Sequence, residues 1–109
     1  MKRARFLGDS RARLHEFPEG IQADLGYQLY QVQCGEEPRN WKPMSSIGPG
    51  VRELRVRDSA GAFRMIYVAS FADAVYVLHA FQKTSQRTSL ADVAIARTRF
   101  KDLKRSIAP

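Results

Sequence analysis

The chain has 109 residues, 44% of them apolar, and 18 Lys/Arg against 11 Asp/Glu give it a net charge of +7. That length fits one domain, 1–109, with one modest core; the apolar fraction excludes a disordered chain, and no apolar run reaches the roughly 18 residues needed to span a bilayer. The lone Cys34 excludes an intrachain disulfide, and the basic start MKRARF has no apolar stretch behind it to make a signal peptide, so a cytoplasmic location without membrane attachment is expected.

Residues 2–7 read as a short first strand or an arm, and residues 9–16 as a short helix with Asp9 or Ser10 as N-cap. Pro18 suits the first turn of a longer helix, in which Ile21, Leu25, Leu29 and Val32 recur on one face and Gly35 stops the helix. Gly26 weakens this helix unless it permits close packing. The span Leu14–Gly50 carries 2 basic and 5 acidic residues, so its outer face should repel RNA. Residues 36–50, rich in Pro and Gly, read as a loop in which Trp41 and Lys42 either pack as a plug or reach a ligand.

Three strands in a row follow, at 51–57, 62–69 and 74–81. Alternation places Arg52, Leu54 and Val56 on one face and Glu53, Arg55 and Arg57 on the other. DSAG at 58–61 is a hairpin turn. In the second strand Phe63, Met65 and Tyr67 oppose Arg64, Ile66 and Val68. The third, AVYVLHAF, is almost wholly apolar, as for a central strand covered on both faces, and strict alternation puts His79 with Val75, Val77 and Phe81. After the basic loop 82–88, Ser89 and Asp92 form a capping box for a helix to about Arg105. Its Val93, Ala96, Phe100 and Leu103 face the core, and Arg97, Arg99, Lys101 and Lys104 read as a solvated face.

The charge is uneven. Residues 51–109 hold 11 Lys/Arg against 5 Asp/Glu, whereas residues 1–50 hold 7 against 6. A basic strand meander in so small a chain points to a polyanion, with RNA first. Two histidines and one cysteine at unrelated spacings make no metal site, and no phosphate-binding glycine loop or nucleophile elbow is present. No metal and no cofactor are therefore expected. What remains is a cluster of Arg and Lys that can bind phosphate and stabilise developing negative charge. RNA brings its own nucleophile, the 2′-hydroxyl. The proton carrier is left open among Lys83, His79 and Glu53, with His79 and Tyr67 more readily read as core residues.

Glu53-Leu54-Arg55, then Phe63, Arg64 and Tyr67 as F-R-x-x-Y, then Leu78, His79, Phe81 and Lys83 as L-H-x-F-x-K, occur in an order that resembles the RelE/HigB superfamily of type II toxin–antitoxin toxins, in its phage-derived HigB-like branch. The resemblance covers roughly residues 14–104. It implies an α+β fold: a small antiparallel sheet with two N-terminal helices on one face and a C-terminal helix beside it. It implies an enzyme, an endoribonuclease that cleaves mRNA in the ribosomal A site by 2′-hydroxyl attack, and neutralisation by an antitoxin of helix-turn-helix type. Under it Arg64 is the transition-state or phosphate binder, Arg55 the basic residue of the preceding strand, and Lys83 and Arg87 the cations of the following loop. Arg52, Arg57 and Lys42 are read as further RNA-binding residues. The family often places a Tyr, Asp or His near the C-terminus; this chain has no Tyr or His after His79 and ends SIAP. That departure motivates the alternative, a non-catalytic module of the same fold that binds an antitoxin or acts as a phage regulatory protein.

Overall fold

The computed structural model describes residues 1–84 and 86–107. In chain order it contains β1 (Arg3–Phe6), α1 (Ser10–His15), α2 (Glu19–Gln33), β2 (Trp41–Pro43), β3 (Val51–Asp58), β4 (Gly61–Val68), β5 (Ala74–Lys83) and α3 (Leu90–Ile107). The strands form one five-stranded sheet in the order β1-β5-β4-β3-β2. The expected hairpin turn joins β3 to β4: Asp58 pairs with Gly61, the Asp58 carboxylate accepts the Ala60 N–H at 2.7 Å, and Gly61 takes a φ of +131°.

The α+β class holds, with three differences. The sheet is mixed, because β1 runs parallel to β5, pairing Arg3–Phe6 with Ala74–Val77. Four residues of alternating Arg and apolar side chains carry no directional signal. The segment 36–50 is not all loop: Trp41–Pro43 pairs with Arg52–Leu54 as an edge strand, and Met44 and Ile47 enter the core. The C-terminal helix does not lie beside the sheet; it covers the face opposite α1 and α2. One core joins Leu14, Ile21, Leu25 and Leu29 to Leu54, Met65 and Val77. The other joins Ala96, Phe100 and Leu103 to Ile66, Val68 and Leu78.

The face of His79 is also corrected. Ile66 pairs with His79, but the next residue, Tyr67, pairs with Val77. Leu78 is thus an extra residue in β5, a β-bulge that shifts the alternation by one. Val75 and Val77 point into the α1/α2 core, whereas Leu78 and Phe81 belong to the α3 core, with His79 stacked on Phe81 at 5.1 Å.

Helix α2 buries Ile21, Leu25, Leu29 and Val32 as the spacing requires, and also Gln28, whose amide donates to Asp24 at 2.9 Å and accepts the Asn40 N–H at 3.3 Å. The helix ends in a Schellman motif. Gly35 sits at φ +80°, its N–H reaches the Val32 carbonyl, and the Glu36 N–H reaches Gln31. Gly26 meets nothing: a Cβ built there has no neighbour within 4 Å.

Two cations of α3 expected to be solvated are structural ties. Arg97 donates to the Ser46 carbonyl at 2.8 Å and so fixes the 44–50 connection. Arg99 donates to the Leu78 carbonyl at 2.9 Å and to Asp9 at 2.7 Å, joining the bulge to the start of α1. Gly48 lets that connection pass beneath α3, because a Cβ there would overlap the Phe100 ring. Of the tail, Ala108 and Pro109 lie outside the described residues. Among the described residues no helix is long and apolar enough to cross a membrane.

Gly26→Ala should stabilise the fold by about 0.5–1 kcal/mol, since Ala is the better helix former and the space is open; urea unfolding checks this. Asp9 is held at a pKa of about 2 by its hydrogen bonds from Arg13 and Arg99. Its stabilisation is complete above the ordinary value of 3.8 and is lost as pH falls through about 2. Because Asp9 is half exposed, solvent screens it, and Asp9→Asn should cost within about 1 kcal/mol near neutral pH and nothing well below pH 2, read from thermal unfolding against pH.

Candidate nucleic-acid interface

The β3–β4 register sets the site. Arg55 lies directly opposite Arg64, Arg57 opposite Ala62, and Lys83 on β5 pairs with Ala62 from the other side. On the α3 face this makes two adjoining rows, Phe81–Arg64–Arg55 and Lys83–Ala62–Arg57. Helix α3 begins only at Leu90 and covers the neighbouring Ile66 and Leu78, so the far end of this face stays open. It forms a cleft of about 640 Å³ lined by Arg55, Arg57, Arg64 and Lys83 together with Asp58 and Thr84.

Such a cluster of like charge needs an internal counter-charge. Glu53 supplies it. The carboxylate is fully buried, with Oε1 3.4 Å from Arg64 Nε, and Oε2 accepts the Thr88 hydroxyl at 2.9 Å. The Glu53–Arg64 approach is a charge contact longer than a good hydrogen bond; among the described residues neither Oε1 nor Nε has a hydrogen-bond partner, whereas Arg64 Nη1 donates to the Phe63 carbonyl at 3.2 Å. Arg64 itself is only 4% exposed. Burial pulls its pKa down, Glu53 opposes that, and Arg55 and Arg57 reinforce it. Lys83 is also lowered, by burial first and then by the neighbouring Arg64.

The structure brings Arg55, Arg57, Arg64 and Lys83 together. Lys42 joins them at the margin: it pairs with Glu53 in register and shares that face. Arg87 is exposed in the connection from β5 to α3, one residue before the Thr88 that touches Glu53. Arg52 is not part of the cluster. It sits on the α1/α2 face, with its guanidinium 3.9 Å over the half-buried Trp41 ring and 3.4 Å from Glu37. Trp41 packs against the core beneath it, as the plug reading has it.

His79 is fully buried, and its Nε2 lies 2.7 Å from Asp92 in the first turn of α3. Asp92 also accepts the Ser89 hydroxyl at 2.6 Å, while its N–H donates back to Ser89 Oγ at 3.1 Å, so the capping box and the histidine share one carboxylate. Burial lowers the His79 pKa despite Asp92, which makes the ring a neutral Nε2–H donor that clamps β5 to α3. Tyr67 is likewise buried, in the α1/α2 core. Neither faces the cleft. Sequence reasoning gave no structural role to Thr88 and treated Glu53 only as a base; the signal for Glu53 was its place on the face shared with Arg55 and Arg57.

Glu53→Ala should destabilise by about 3–5 kcal/mol, because it strands the Arg64 charge in a buried site. Thr88→Val should cost about 1 kcal/mol. Urea denaturation of the two variants tests the order.

No curated protein matches the chain. A family model described as phage-derived protein Gp49-like (DUF891) matches residues 12–101, which include every strand from β2 to β5 and all the cleft cations, and on that match the chain belongs to the Gp49-like family.

Proposed function

We propose that the chain is the toxin of a type II toxin–antitoxin system, of RelE/HigB type, and that its cleft cleaves mRNA on the ribosome. Membership of a family associated with toxin–antitoxin modules supports this reading. The observation that carries it is the Arg55–Arg64 pair facing across two strands with Lys83 and Arg57 around the same cleft. Two guanidiniums and an ammonium at one concave surface suit a phosphodiester. In the proposed reaction the RNA 2′-hydroxyl attacks the adjacent phosphorus. The O2′–P bond forms, the P–O5′ bond breaks, and a 2′,3′-cyclic phosphate and a 5′-hydroxyl result. Arg64 and Arg55 neutralise the charge that grows on the phosphoryl oxygens. Lys83, with its lowered pKa, takes the 2′-hydroxyl proton in its neutral form, and the leaving 5′-oxygen is protonated by water. The neutralising partner on this reading is a helix-turn-helix antitoxin.

Inducing the chain in bacteria should arrest growth and produce discrete cuts within translated codons, mapped by primer extension. Lys83→Ala and Arg55→Ala should each lower cleavage by about 10²–10⁴-fold. Arg64→Ala alone would leave Glu53 unpaired, so the clean variant is Arg64→Gln with Glu53→Gln, which removes both charges and keeps the shape. That pair should be folded and non-toxic; full toxicity would remove Arg64 from the mechanism. Cleavage should rise with pH as Lys83 deprotonates below the ordinary lysine value of 10.5, and Lys83→Arg should flatten the profile.

One observation favours the second reading, a non-catalytic module that binds an antitoxin. Neither histidine nor tyrosine is among the residues lining the cleft, and His79 is committed to Asp92. Soluble expression with normal growth and intact transcripts, together with capture of an antitoxin, would establish that reading instead.

A further inference from the structure

Helix α2 has a solvent face unlike that of an ordinary amphipathic helix. Such faces are normally charged. Here Glu19 is the one charged residue in the exposed stripe, which continues through Gly20, Ala23, Gly26, Tyr27 and Tyr30. Tyr27 is 58% and Tyr30 51% exposed, although tyrosine is a residue that interfaces favour. Gly20 and Gly26 have nothing within 4 Å of a built Cβ, so neither glycine is there to relieve crowding within the chain.

From this face we propose that α2 is a self-association surface, and that two copies pair through antiparallel α2 helices about a twofold axis. Three features select a second copy as the occupant. The stripe is self-complementary: with the axis between Gly26 and Tyr27, Tyr27 lies over the partner's Gly26 and Tyr30 over the partner's Ala23, and the same contacts recur in reverse. The charge pattern agrees. In a chain with 18 Lys/Arg, α2 is the one described element that contains neither, and Arg39, the loop cation that reaches it, is met by Asp24 of the same helix at 2.8 Å, so two copies meet there with no unbalanced cation from the helix. Antiparallel pairing also sets each helix N-terminus beside the other's C-terminus. The size of the patch sets the strength. Four half-exposed tyrosine rings bury roughly 300–500 Å² between them. With the flanking helix surface the total falls near the lower limit of about 1,000 Å² for specific interfaces, so the dimer is weak and concentration-dependent.

The α2 face and the cationic cleft lie on opposite sides of the sheet, so the pair would present two open clefts pointing outward. The proposal is therefore independent of the toxin reading.

The test is sedimentation velocity on the full chain, under reducing conditions that prevent oxidation through Cys34. The wild type should pass from one to two copies across the micromolar range. Gly26→Arg places a cation at the axis with no clash inside its own chain and a gain in helix propensity, and it should weaken association at least tenfold with unchanged circular dichroism. A wild type that stays a single copy at several hundred micromolar overturns the proposal. So does a dimer that Gly26→Arg leaves intact, because it would be built on another surface.

Discussion

Burial of β5 on both faces is the constraint from which the rest of the structure follows. Every residue from Ala74 to Phe81 is buried. A strand with no solvent face needs a helix layer on each side and a neighbour along each edge. The first requirement places α1 and α2 across the sheet from α3. The second recruits Arg3–Phe6 as a parallel edge beside Ala74–Val77. Beyond Val77 that edge strand has ended, and the Arg99 guanidinium takes over by binding the Leu78 carbonyl. At Gln82 and Lys83 the strand emerges from cover, and there the cationic cleft opens.

The electrostatics of the cleft follow from the same geometry. Arg64 lies in the floor of the cleft at 4% exposure, where burial works against its charge. A buried ion pair contributes little net stability, since desolvation offsets the attraction. What Glu53 gives is placement. It holds Arg64 ionised and aimed beside Arg55, and through Thr88 it also ties down the connection that leads into α3. The exposed cation Arg57 lies outside this anchor.

Much of the fold was legible in the chain because local signals agreed. Ile21, Leu25, Leu29 and Val32 have one helical period; the DSAG turn and the apolar run 74–81 are equally plain. The failures have a common cause: they depend on partners remote in sequence. Trp41–Pro43 is a strand only because Arg52–Leu54 lies beside it, and β1 is parallel only because the free edge of β5 runs that way. Arg97 and Arg99 look like any solvated helix cations until Ser46, Leu78 and Asp9 are placed next to them. In the site, alternation grouped Arg55 and Arg57 with Glu53, and the register then set Arg64 against them. Arg52 falls on the opposite face, where the same alternation puts it with Leu54. The position of His79 was beyond alternation, because a bulge cannot be seen in a strand whose residues are apolar on both sides.

That bulge gives β5 two independent phases along one strand. Before Leu78 the odd-numbered positions serve the α1/α2 core; after it they serve the opposite side, and so deliver Phe81 and Lys83 to the α3 face. Leu78 and His79 thus share the α3 face, and the change of parity marks one residue in excess there. Deleting Leu78 would make Tyr67–Val77 and Ile66–His79 consecutive pairs of a regular ladder and leave Lys83 opposite Ala62. What it would remove is an apolar side chain from the α3 core and the carbonyl that Arg99 binds. In this fold the inserted residue serves the attachment of α3, and the lysine of the cleft keeps its face with or without it.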